Sequence, residues 1–535
     1  MTRDAPADPN GRVILVGAGP GNPDLITVGG AAALRRADVV LYDELASEEL
    51  LSLVSPGAVC INVGKRGHEE PTRSQEDINA LAISHAKAGK VVARLKGGDS
   101  FVFGRGGEEA SACVAAGVPF EVLPGVTAAL AAPAYAGIPL TDRRHSASFA
   151  VVTGHKDPGR PAEETRWSEL ARAVDTLVIL MGMRNLRVLL QRLIEGGKPP
   201  DTPAAAVMHG TMPEQQVEIG TLASLADQVE EAGLGAPSAI VVGSVVALRE
   251  TLHWWERKPL FGLRALVTRA PHQAGELSAA LRAEGAVPVP RPMIELGAVT
   301  EAGPLAEIEA VVSRLEEFDD LVLTSTNAVR FFILCVQSAG RLEELARLRA
   351  RVLCMGVSTA KAALQAGLPV HLALRGGQGD AEALLDEILA AGPVRGRRVL
   401  IPRSDMGRNV LATGLGEAGA EVEAPVFYRN IQPRVDASAL RQEIQAGELP
   451  ILTFSSPSAA NHFLALLDDA TRSACERCII VAIGETTGRA LREGGLPPDV
   501  VPEQPGTLEM VAALVRHKGR SGSGDVGSRP PEEES

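Results

Sequence analysis

The sequence predicts an α/β protein in which parallel sheets are covered by helices. Short apolar runs alternate with stretches rich in Ala, Leu, Glu and Arg, which is the pattern of alternating strands and helices. Apolar residues make up 45% of the chain but aromatic residues only 3%, so the cores must be built from Ala, Val and Leu, as suits buried parallel strands. The clearest strand runs are RVILVG from residue 12, VVARLKGG from 91, TLVILMG from 176 and AIVVGSVVAL from 239.

The length of 535 residues corresponds to three or four compact units, at roughly 150 residues per domain. One boundary is predicted near residues 256–262, where Pro259 and Gly262 interrupt regular structure before a new strand begins at Arg264. Both polar ends of the chain are expected to be disordered. The predicted parts are a tail (1–11), a first domain (12–258), a linker (259–263), a second domain (264–516) and a second tail (517–535).

The second half of the chain contains an internal repeat. Three segments recur in the same order at a nearly constant spacing of about 130 residues, which predicts two similar α/β lobes. The matched pairs are RALVTR at 264 with RVLIPR at 398, LVLTSTNAVRFF at 321 with PILTFSSPSAANHF at 450, and VLCMG at 352 with IVAIG at 480.

Charge and cysteine content narrow the classes of function. The net charge of -13 argues against general binding to nucleic acid or membrane surfaces, which would need a basic footprint. A polar N-terminus without the apolar core of a signal peptide, together with six scattered cysteines, predicts a reduced cytosol. Cys475 and Cys478 form a single CxxC with no second pair, so no zinc ribbon or other metal site is predicted.

Glycine-rich stretches mark the candidate ligand site of the first half. Gly17, Gly19 and Gly21 follow the first strand and permit a tight turn and close backbone approach to a ligand. The prolines in GAGPGNPDLIT fit poorly with a helix opening inside the loop, so NAD or FAD binding is rejected. A second stretch, RLKGGDSFVFGRGGEEA, suggests a ligand clasped by main chain, with Asp99 accepting hydrogen bonds, although a plain strand-to-helix loop is the alternative.

Together with VLPGVTAALAAPAYAGIPLTDRR and the motifs LYDEL, VGKRG, VTGH and HGT, these stretches resemble the tetrapyrrole methylase family over about residues 12–255. The uroporphyrinogen-III methyltransferases are the most similar group. The resemblance implies two α/β lobes with S-adenosylmethionine in the cleft between them, and a homodimer formed through this half. The implied cofactor residues are Pro20, Gly97, Gly98, Asp99, Val102, Thr127, Ala128, Met181 and Gly210.

The resemblance also implies roles for Asp43, which would take a proton from the substrate, and for Lys65, which would assist proton transfer. The alternatives are a strand-end cap and a surface lysine. Two departures from the family pattern are Ser100, where Pro is common, and Asp142, where His is common. A substrate with eight carboxylates needs cations, and about half of the nearby basic residues are expected to face the cleft. These are Lys65, Arg66, Arg94, Lys96, Arg105, Arg143, Arg144 and Lys156.

The second half carries hydroxyl-rich strand ends but no nucleophile elbow or phosphate loop. Hydroxyl residues at helix starts usually cap the helix, and several helix N-termini converging on a cleft could also hold a polycarboxylate. LTSTNAV, VFYRN, FSSPSAANHF and AIGETTGRAL resemble uroporphyrinogen-III synthase over about residues 263–515. The resemblance implies two lobes joined by paired linkers near residues 288 and 424, and no cofactor.

In that family a tyrosine donates the proton that releases a hydroxyl as water, and Tyr428 matches it; the alternative is an aromatic ring packed at the linker. Ser325, Ser456, Thr486 and Thr487 match contacts to substrate carboxylates.

The whole chain therefore predicts a bifunctional enzyme that acts on small-molecule tetrapyrroles. It would cyclise hydroxymethylbilane to uroporphyrinogen III with ring inversion and methylate the product twice, with S-adenosylmethionine, to precorrin-2. Three alternatives stay open: a methylase for another substrate, a non-catalytic tetrapyrrole-binding second half, and a two-lobed transport receptor, which the lack of an export signal disfavours. No unassigned segment has the strand, GxGxxG loop and acidic residue of a dinucleotide-binding unit, so neither dehydrogenase nor ferrochelatase activity is predicted. The destination of the product, sirohaem or cobalamin, stays open.

Overall fold

The expected α/β class is confirmed. The structure is a computed structural model, and the sheets within its described residues are flanked by helices throughout. No helix within that part of the chain is both long and apolar enough to cross a bilayer. The described residues are 11–55, 57–64, 74–154, 166–269, 271–374, 381–405, 409–431, 433 and 435–522.

The first lobe of the N-terminal half is a parallel sheet. Its strands are β1 (Arg12–Gly17), β2 (Val39–Tyr42), β3 (Val59–Asn62), β4 (Val91–Lys96) and β5 (Phe120–Leu123). Its helices are α1 (Val28–Arg36), α2 (Gln75–Lys87), α3 (Gly106–Ala115) and α4 (Ala128–Tyr135). The strand order is β3-β2-β4-β1-β5, so the carboxyl ends of β2, β4, β1 and β5 lie side by side at one edge.

The second lobe is a mixed sheet with the order β6-β7-β10-β8-β9, in which only β6 and β7 run parallel. Its strands are β6 (Phe149–Thr153), β7 (Thr176–Leu180), β8 (Pro203–Met208), β9 (Gln216–Thr221) and β10 (Ser238–Val242). Its helices are α5 (Trp167–Ala173), α6 (Leu186–Glu195), α7 (Leu225–Glu231) and α8 (Arg249–Leu252). Helix α4 connects the lobes and packs Ala132 and Ala136 against this sheet.

The C-terminal half begins with a new sheet at Arg264. Its strands are β11 (Arg264–Val267), β12 (Val287–Pro290), β13 (Glu295–Ala298), β14 (Asp320–Leu323), β15 (Arg351–Cys354), β16 (Val370–Ala373), β17 (Arg398–Leu400), β18 (Arg403–Ser404), β19 (Glu421–Glu423), β20 (Val426–Ile431), β21 (Ile451–Phe454) and β22 (Ile479–Ala482). Its helices are α9 (Pro271–Ala283), α10 (Ala302–Val312), α11 (Thr326–Ser338), α12 (Val357–Gln365), α13 (Ala381–Ala390), α14 (Val410–Glu417), α15 (Ala437–Gln445), α16 (Pro457–Leu464), α17 (Asp469–Cys475), α18 (Glu485–Glu493) and α19 (Thr507–Gly522).

Two parallel sheets of the same topology confirm the two similar lobes. The near lobe has the order β12-β11-β21-β22, and the far lobe has the order β19-β17-β14-β15-β16. The repeated segments pair β11 with β17, β21 with β14, and β22 with β15. Each copy of the repeat therefore supplies strands to both lobes: the first copy places β11 in the near lobe but β14 and β15 in the far lobe.

The chain crosses between these lobes twice. Strand β13 carries it out and β20 carries it back, and the two pair antiparallel, with Glu295 opposite Ile431 and Ala298 opposite Tyr428. The run PVPRPMIEL, expected to form the first crossing, is divided: its start belongs to β12, which pairs with β11, and only its end lies in β13.

The two halves of the chain are in contact. Arg282 of α9 is buried and forms an ion pair with Glu49, in the 3-10 helix Glu48–Leu53 that follows β2. In the linker, the backbone N–H groups of Leu260 and Gly262 donate to the carbonyls of Glu284 and Gly285, which follow α9, both at 3.0 Å. The C-terminal half therefore contacts both the linker and the segment that follows β2.

The expectation of a disordered tail from residue 517 is wrong for residues 517–522, which continue α19. Met510, Val511 and Leu514 of this helix are buried against Leu277 and Leu281 of α9. Once packing has formed the helix, each added residue costs little, so the polar end extends it. Residues 1–10 and 523–535 lie outside the described residues.

Asp320 joins the amino ends of three far-lobe strands. Its carboxylate is buried at the start of β14 and lies 2.7 Å from the Nε atoms of both Arg351 and Arg397. Arg351 is the first residue of β15, and Arg397 directly precedes β17. Burial alone would raise the pKa of Asp320, but hydrogen bonds from the two guanidinium groups outweigh it and lower the pKa below its ordinary value. This contribution to stability is present above the ordinary carboxyl pKa and is lost as pH falls through the lowered pKa.

We expect Asp320→Asn to destabilise the far lobe by about 1.5–3 kcal/mol at neutral pH, because two charge-assisted hydrogen-bonding partners lose their anion. Amide hydrogen exchange of β14 and β15 should speed up accordingly. The difference from wild type should shrink as pH falls through the lowered pKa. Asp386→Asn, at an exposed position of α13, is the control and should leave exchange unchanged. Equal protection in Asp320→Asn and wild type at neutral pH would contradict the prediction.

Candidate functional sites

Three loops meet above the carboxyl ends of β1, β4 and β5. Gly19 and Gly98 exchange backbone hydrogen bonds of 3.1 and 2.7 Å, and Gly98 has a φ of 69°, which favours glycine. A Cβ placed on Gly125 would lie 2.3 Å from the Gly98 carbonyl oxygen and 2.7 Å from the Gly17 Cα. The glycines are therefore needed for the close approach of backbone to backbone, and they form a floor of main-chain groups.

Asp99 holds this floor together. One of its carboxylate oxygens accepts the N–H groups of Phe101 and Val102 at 2.8 and 3.0 Å, and the other accepts the Gly125 N–H at 2.9 Å. The sequence predicted contacts to a ligand at this position. The structure shows that the carboxylate already binds its own loop and the loop after β5.

The second lobe reaches the same cleft through the loop after β8. Thr211 is fully buried, donates its hydroxyl proton to the Pro20 carbonyl at 2.8 Å and accepts the Asn22 N–H at 3.2 Å. Gly210 packs on α4, where a Cβ would lie 2.3 Å from the Cβ of Ala132. Pro20 and Gly210, far apart in sequence, are therefore brought together.

The remaining predicted cofactor residues lie around this floor. Thr127 caps α4 by accepting the Ala129 N–H at 3.4 Å, and the backbone N of Ala128 is the atom nearest to a Cβ built on Gly98. Val102 and Met181 are exposed, and Met181 directly follows β7 with a φ of 56°.

Left-handed backbone is concentrated in these loops, although such conformations are uncommon outside glycine and cluster at functional sites. Within the part of the chain that the structure describes, the non-glycine residues with positive φ are Phe103, Arg105, Met181, His209 and Thr211. Each lies in a loop that follows β4, β7 or β8.

Asp43 stands beside the floor at the end of β2. Its Oδ1 accepts the Gly97 N–H at 3.2 Å and its Oδ2 lies 3.3 Å from Nη2 of Arg94, while 26% of the side chain remains exposed. The carboxylate therefore fastens the loop after β2 to the loop after β4, and it still reaches the cleft.

Of the eight basic residues of which about half were expected to face the cleft, Arg94 and Lys96 do not face it. Both are buried and form ion pairs with Glu109 of α3, at 3.2 and 2.9 Å. Side chains two residues apart on β4 point to the same face of the sheet, which here is covered by helix rather than ligand. Lys65, Arg66 and Lys156 lie outside the described residues.

The other basic residues are at the surface: Arg143 is exposed, and Arg105 and Arg144 pair with Glu108 and Asp142. Of the two departures from the family pattern, Asp142 thus has a partner, and hydrogen bonds from Arg144 lower its pKa. Ser100 is fully buried, and its hydroxyl has no hydrogen-bonding partner among the described residues.

In the C-terminal half, Tyr428 and Ser325 are brought together. Tyr428 lies on the return crossing β20, its hydroxyl is 3.1 Å from the Ser325 hydroxyl, and its ring stacks on Phe331 at 4.9 Å. Burial raises the pKa of the phenol, and the hydrogen bonds with Ser325 and Ser404 only partly oppose it. The phenol carries a proton that it can donate, while its stacking on Phe331 also fulfils the packing role that was the alternative.

Ser325 and Ser456 occupy equivalent positions in the two lobes. Each caps a helix at the end of a central strand, Ser325 by accepting the Ala328 N–H at 3.0 Å and Ser456 by accepting the Ala459 N–H at 3.2 Å. Of the two threonines in the first turn of α18, Thr486 is exposed and Thr487 is buried, so only Thr486 is accessible.

The sequence predictions missed the far-lobe counterparts of these threonines. Ser358 and Thr359 stand in the first turn of α12 and are likewise exposed and buried. Arg269 and Arg403, which follow β11 and β17, form a second symmetric pair. The internal repeat itself was the signal that could have found both pairs.

The CxxC motif carries no site. Cys475 and Cys478 are both buried as free thiols, and burial raises the pKa of Cys475 to about 12, which disfavours the thiolate. No group of three metal-ligating side chains occurs in the described ranges.

Comparisons with known proteins match the two halves separately. Residues 12–226 match the Tetrapyrrole (Corrin/Porphyrin) Methylases, and residues 275–512 match Uroporphyrinogen-III synthase HemD. The porphyrin biosynthesis protein HemD of Ruminiclostridium josui is 35% identical over 497 residues, which cover 91% of this chain and 94% of the relative.

Two further relatives match the first half. The uroporphyrinogen-III C-methyltransferase of Priestia megaterium is 50% identical over 236 residues, or 44% of this chain and 98% of the relative. A crystal structure of uroporphyrin-III C-methyl transferase from Thermus thermophilus, complexed with S-adenyl homocysteine, has 39% identity and a TM-score of 0.39, and the match covers 44% of this chain and all of that chain.

We expect Gly125→Ala to damage the three-loop floor, because its Cβ would meet backbone that cannot move aside. Overpacking of this kind costs about 1–3 kcal/mol. All three tryptophans, Trp167, Trp254 and Trp255, lie in the N-terminal half, so tryptophan fluorescence during urea unfolding reports this half. Gly107→Ala is the control, since a Cβ there meets nothing within 4 Å. Wild-type stability of Gly125→Ala would refute the tight contact.

Proposed function

We propose that this bifunctional enzyme makes uroporphyrinogen III in its second half and methylates it in its first, since the chain belongs to the tetrapyrrole methylase family and to the uroporphyrinogen-III synthase family. The observation that carries the proposal is that each half covered by a family match has its own group of candidate residues at strand ends. These are Asp43 and the glycine-containing loops in the first half, and Tyr428 with Ser325 in the second. The reactions are consecutive, because one half would produce the substrate of the other.

The first half would bind S-adenosylmethionine, and an electron-rich pyrrole carbon of the substrate would attack its methyl group, so that a carbon–carbon bond forms while the methyl–sulfur bond breaks and S-adenosylhomocysteine leaves. The main-chain floor supports this, since the loops after β1, β4 and β5 meet there through backbone groups at the carboxyl edge of the sheet. Alignment of nucleophile and methyl group can contribute about 7–11 kcal/mol. The proposed cofactor residues are Pro20, Gly97, Gly98, Asp99, Val102, Thr127, Ala128, Met181 and Gly210.

Asp43 would accept the proton that the substrate loses after methylation. Its support is its position beside Gly97, where a partly exposed carboxylate is held by one backbone N–H and by Arg94. A positioned base is worth about 10²–10⁴-fold in rate. Lys65 stays a proposed assistant in proton transfer on the resemblance alone.

The second half would close hydroxymethylbilane with inversion of its last ring. Tyr428 would donate a proton to the departing hydroxyl group, which leaves as water. The support is the position of the phenol on a crossing strand between the lobes, within hydrogen-bonding distance of the Ser325 hydroxyl. Ser325, Ser456 and Thr486 would bind substrate carboxylates at the helix N-termini, which carry partial positive charge. Thr487 would support the same turn from its buried position.

The decisive test is incubation of the full chain with hydroxymethylbilane, with and without S-adenosylmethionine. We expect uroporphyrinogen III without the methyl donor and precorrin-2 with it, as identified by chromatography and mass. Type I isomer alone, which forms without a catalyst, would favour the non-catalytic binding module. Type III isomer that is never methylated would instead reject the substrate proposed for the first half.

Tyr428→Phe keeps the stacked ring but removes the proton donor. We expect a slower but measurable rate of type III formation, with a loss below the roughly 10²–10⁴-fold worth of a general acid because water can substitute. The readout is the ratio of type III to type I isomer. Tyr135→Phe, in the other half, should leave this ratio unchanged. A wild-type isomer ratio in Tyr428→Phe would reject the role of Tyr428 as proton donor and would support a packing role alone.

A further inference from the structure

A buried cluster of charges lies directly beneath Asp43. Arg94 donates from Nε to Glu109 Oε1 at 3.2 Å and contacts Asp43 Oδ2 through Nη2 at 3.3 Å. The same Glu109 oxygen receives the Lys96 ammonium at 2.9 Å and the Gln75 amide at 3.1 Å. Arg94, Lys96 and Glu109 are each about 95% buried, so little water screens these contacts.

The orientation of the guanidinium group depends on Glu109. The planar group presents its donors in a fixed fork, so a bond at Nε determines where Nη2 points. On the other edge, Nη1 donates to the Leu95 carbonyl at 3.1 Å. Two carboxylates contact the Arg94 guanidinium, those of Asp43 and Glu109. Glu109 is the one that lies away from the cleft, on α3.

We propose that Glu109 is a positioning residue for methyl transfer: it fixes Arg94, which in turn holds the Asp43 carboxylate beside the Gly97 N–H. This inference rests on the proposed role of Asp43 as the proton acceptor. Glu109 itself touches neither the cleft nor Asp43 and acts only through Arg94.

The test compares Glu109→Gln with Glu108→Gln in the full chain. These adjacent glutamates share one helix, but the Glu108 side chain is 54% exposed and pairs at the surface with Arg105. We expect Glu109→Gln to lower kcat for methylation of uroporphyrinogen III by about 10- to 100-fold, since a displaced catalytic group can lose 10²-fold. KM and the dissociation constant of S-adenosylhomocysteine should change less than about twofold, because the substituted side chain touches no ligand. Glu108→Gln should match wild type.

A double-mutant cycle separates positioning from general loss of structure. In the Asp43→Asn background, measured in single turnovers at high enzyme concentration, Glu109→Gln should cause no further loss. An equal loss in both backgrounds, or a wild-type kcat in Glu109→Gln, would overturn the inference.

Tryptophan fluorescence in urea reports whether the N-terminal half of each variant is folded. Should Glu109→Gln fail to fold, Arg94→Lys tests the same link, because an ammonium lacks the fixed fork with which the guanidinium orients Asp43, and its loss should also vanish in Asp43→Asn. If wild type does not methylate uroporphyrinogen III, the proposed function fails instead.

Discussion

Parallel strands are the constraint on which both sites depend. Two strands of the same direction cannot be joined by a tight turn, so each is followed by a loop and a crossover helix. Every such loop leaves the sheet at the same edge, and residues distant in sequence meet there. Asp43, Gly98 and Gly125 follow β2, β4 and β5 and meet in this way. In the C-terminal half the same rule places Ser325 and Ser456 at helix starts in two lobes.

Three charged side chains of the methylase-like half, Arg94, Lys96 and Glu109, are buried as mutual partners. Their ion pairs hold the loop that carries Asp43 and do not face the cleft. The floor beside Asp43 is formed by main-chain groups of the glycine-containing loops.

Much of this arrangement could be predicted from sequence, because it follows from periodicity. The apolar runs located the strands, and the spacing of the repeat predicted two similar lobes. What the repeat could not show is that each copy is divided between lobes, since strand pairing depends on the long-range crossing at β13 and β20. Nor could a sequence show that Arg94 and Lys96 face a helix, because alternation along β4 does not tell which face is covered. Thr211 and Glu109 were not predicted, because their partners lie elsewhere in the chain: Thr211 contacts Pro20, and Glu109 of α3 contacts side chains of β4.

The division of the repeat has a consequence for how the two enzymes are joined. Both ends of the C-terminal half lie in the near lobe, where α9 and α19 pack together, and α9 also contacts the N-terminal half. The far lobe is connected to the near lobe through the crossing strands β13 and β20. The ion pair between the two halves is therefore made by the near lobe and not by the far lobe.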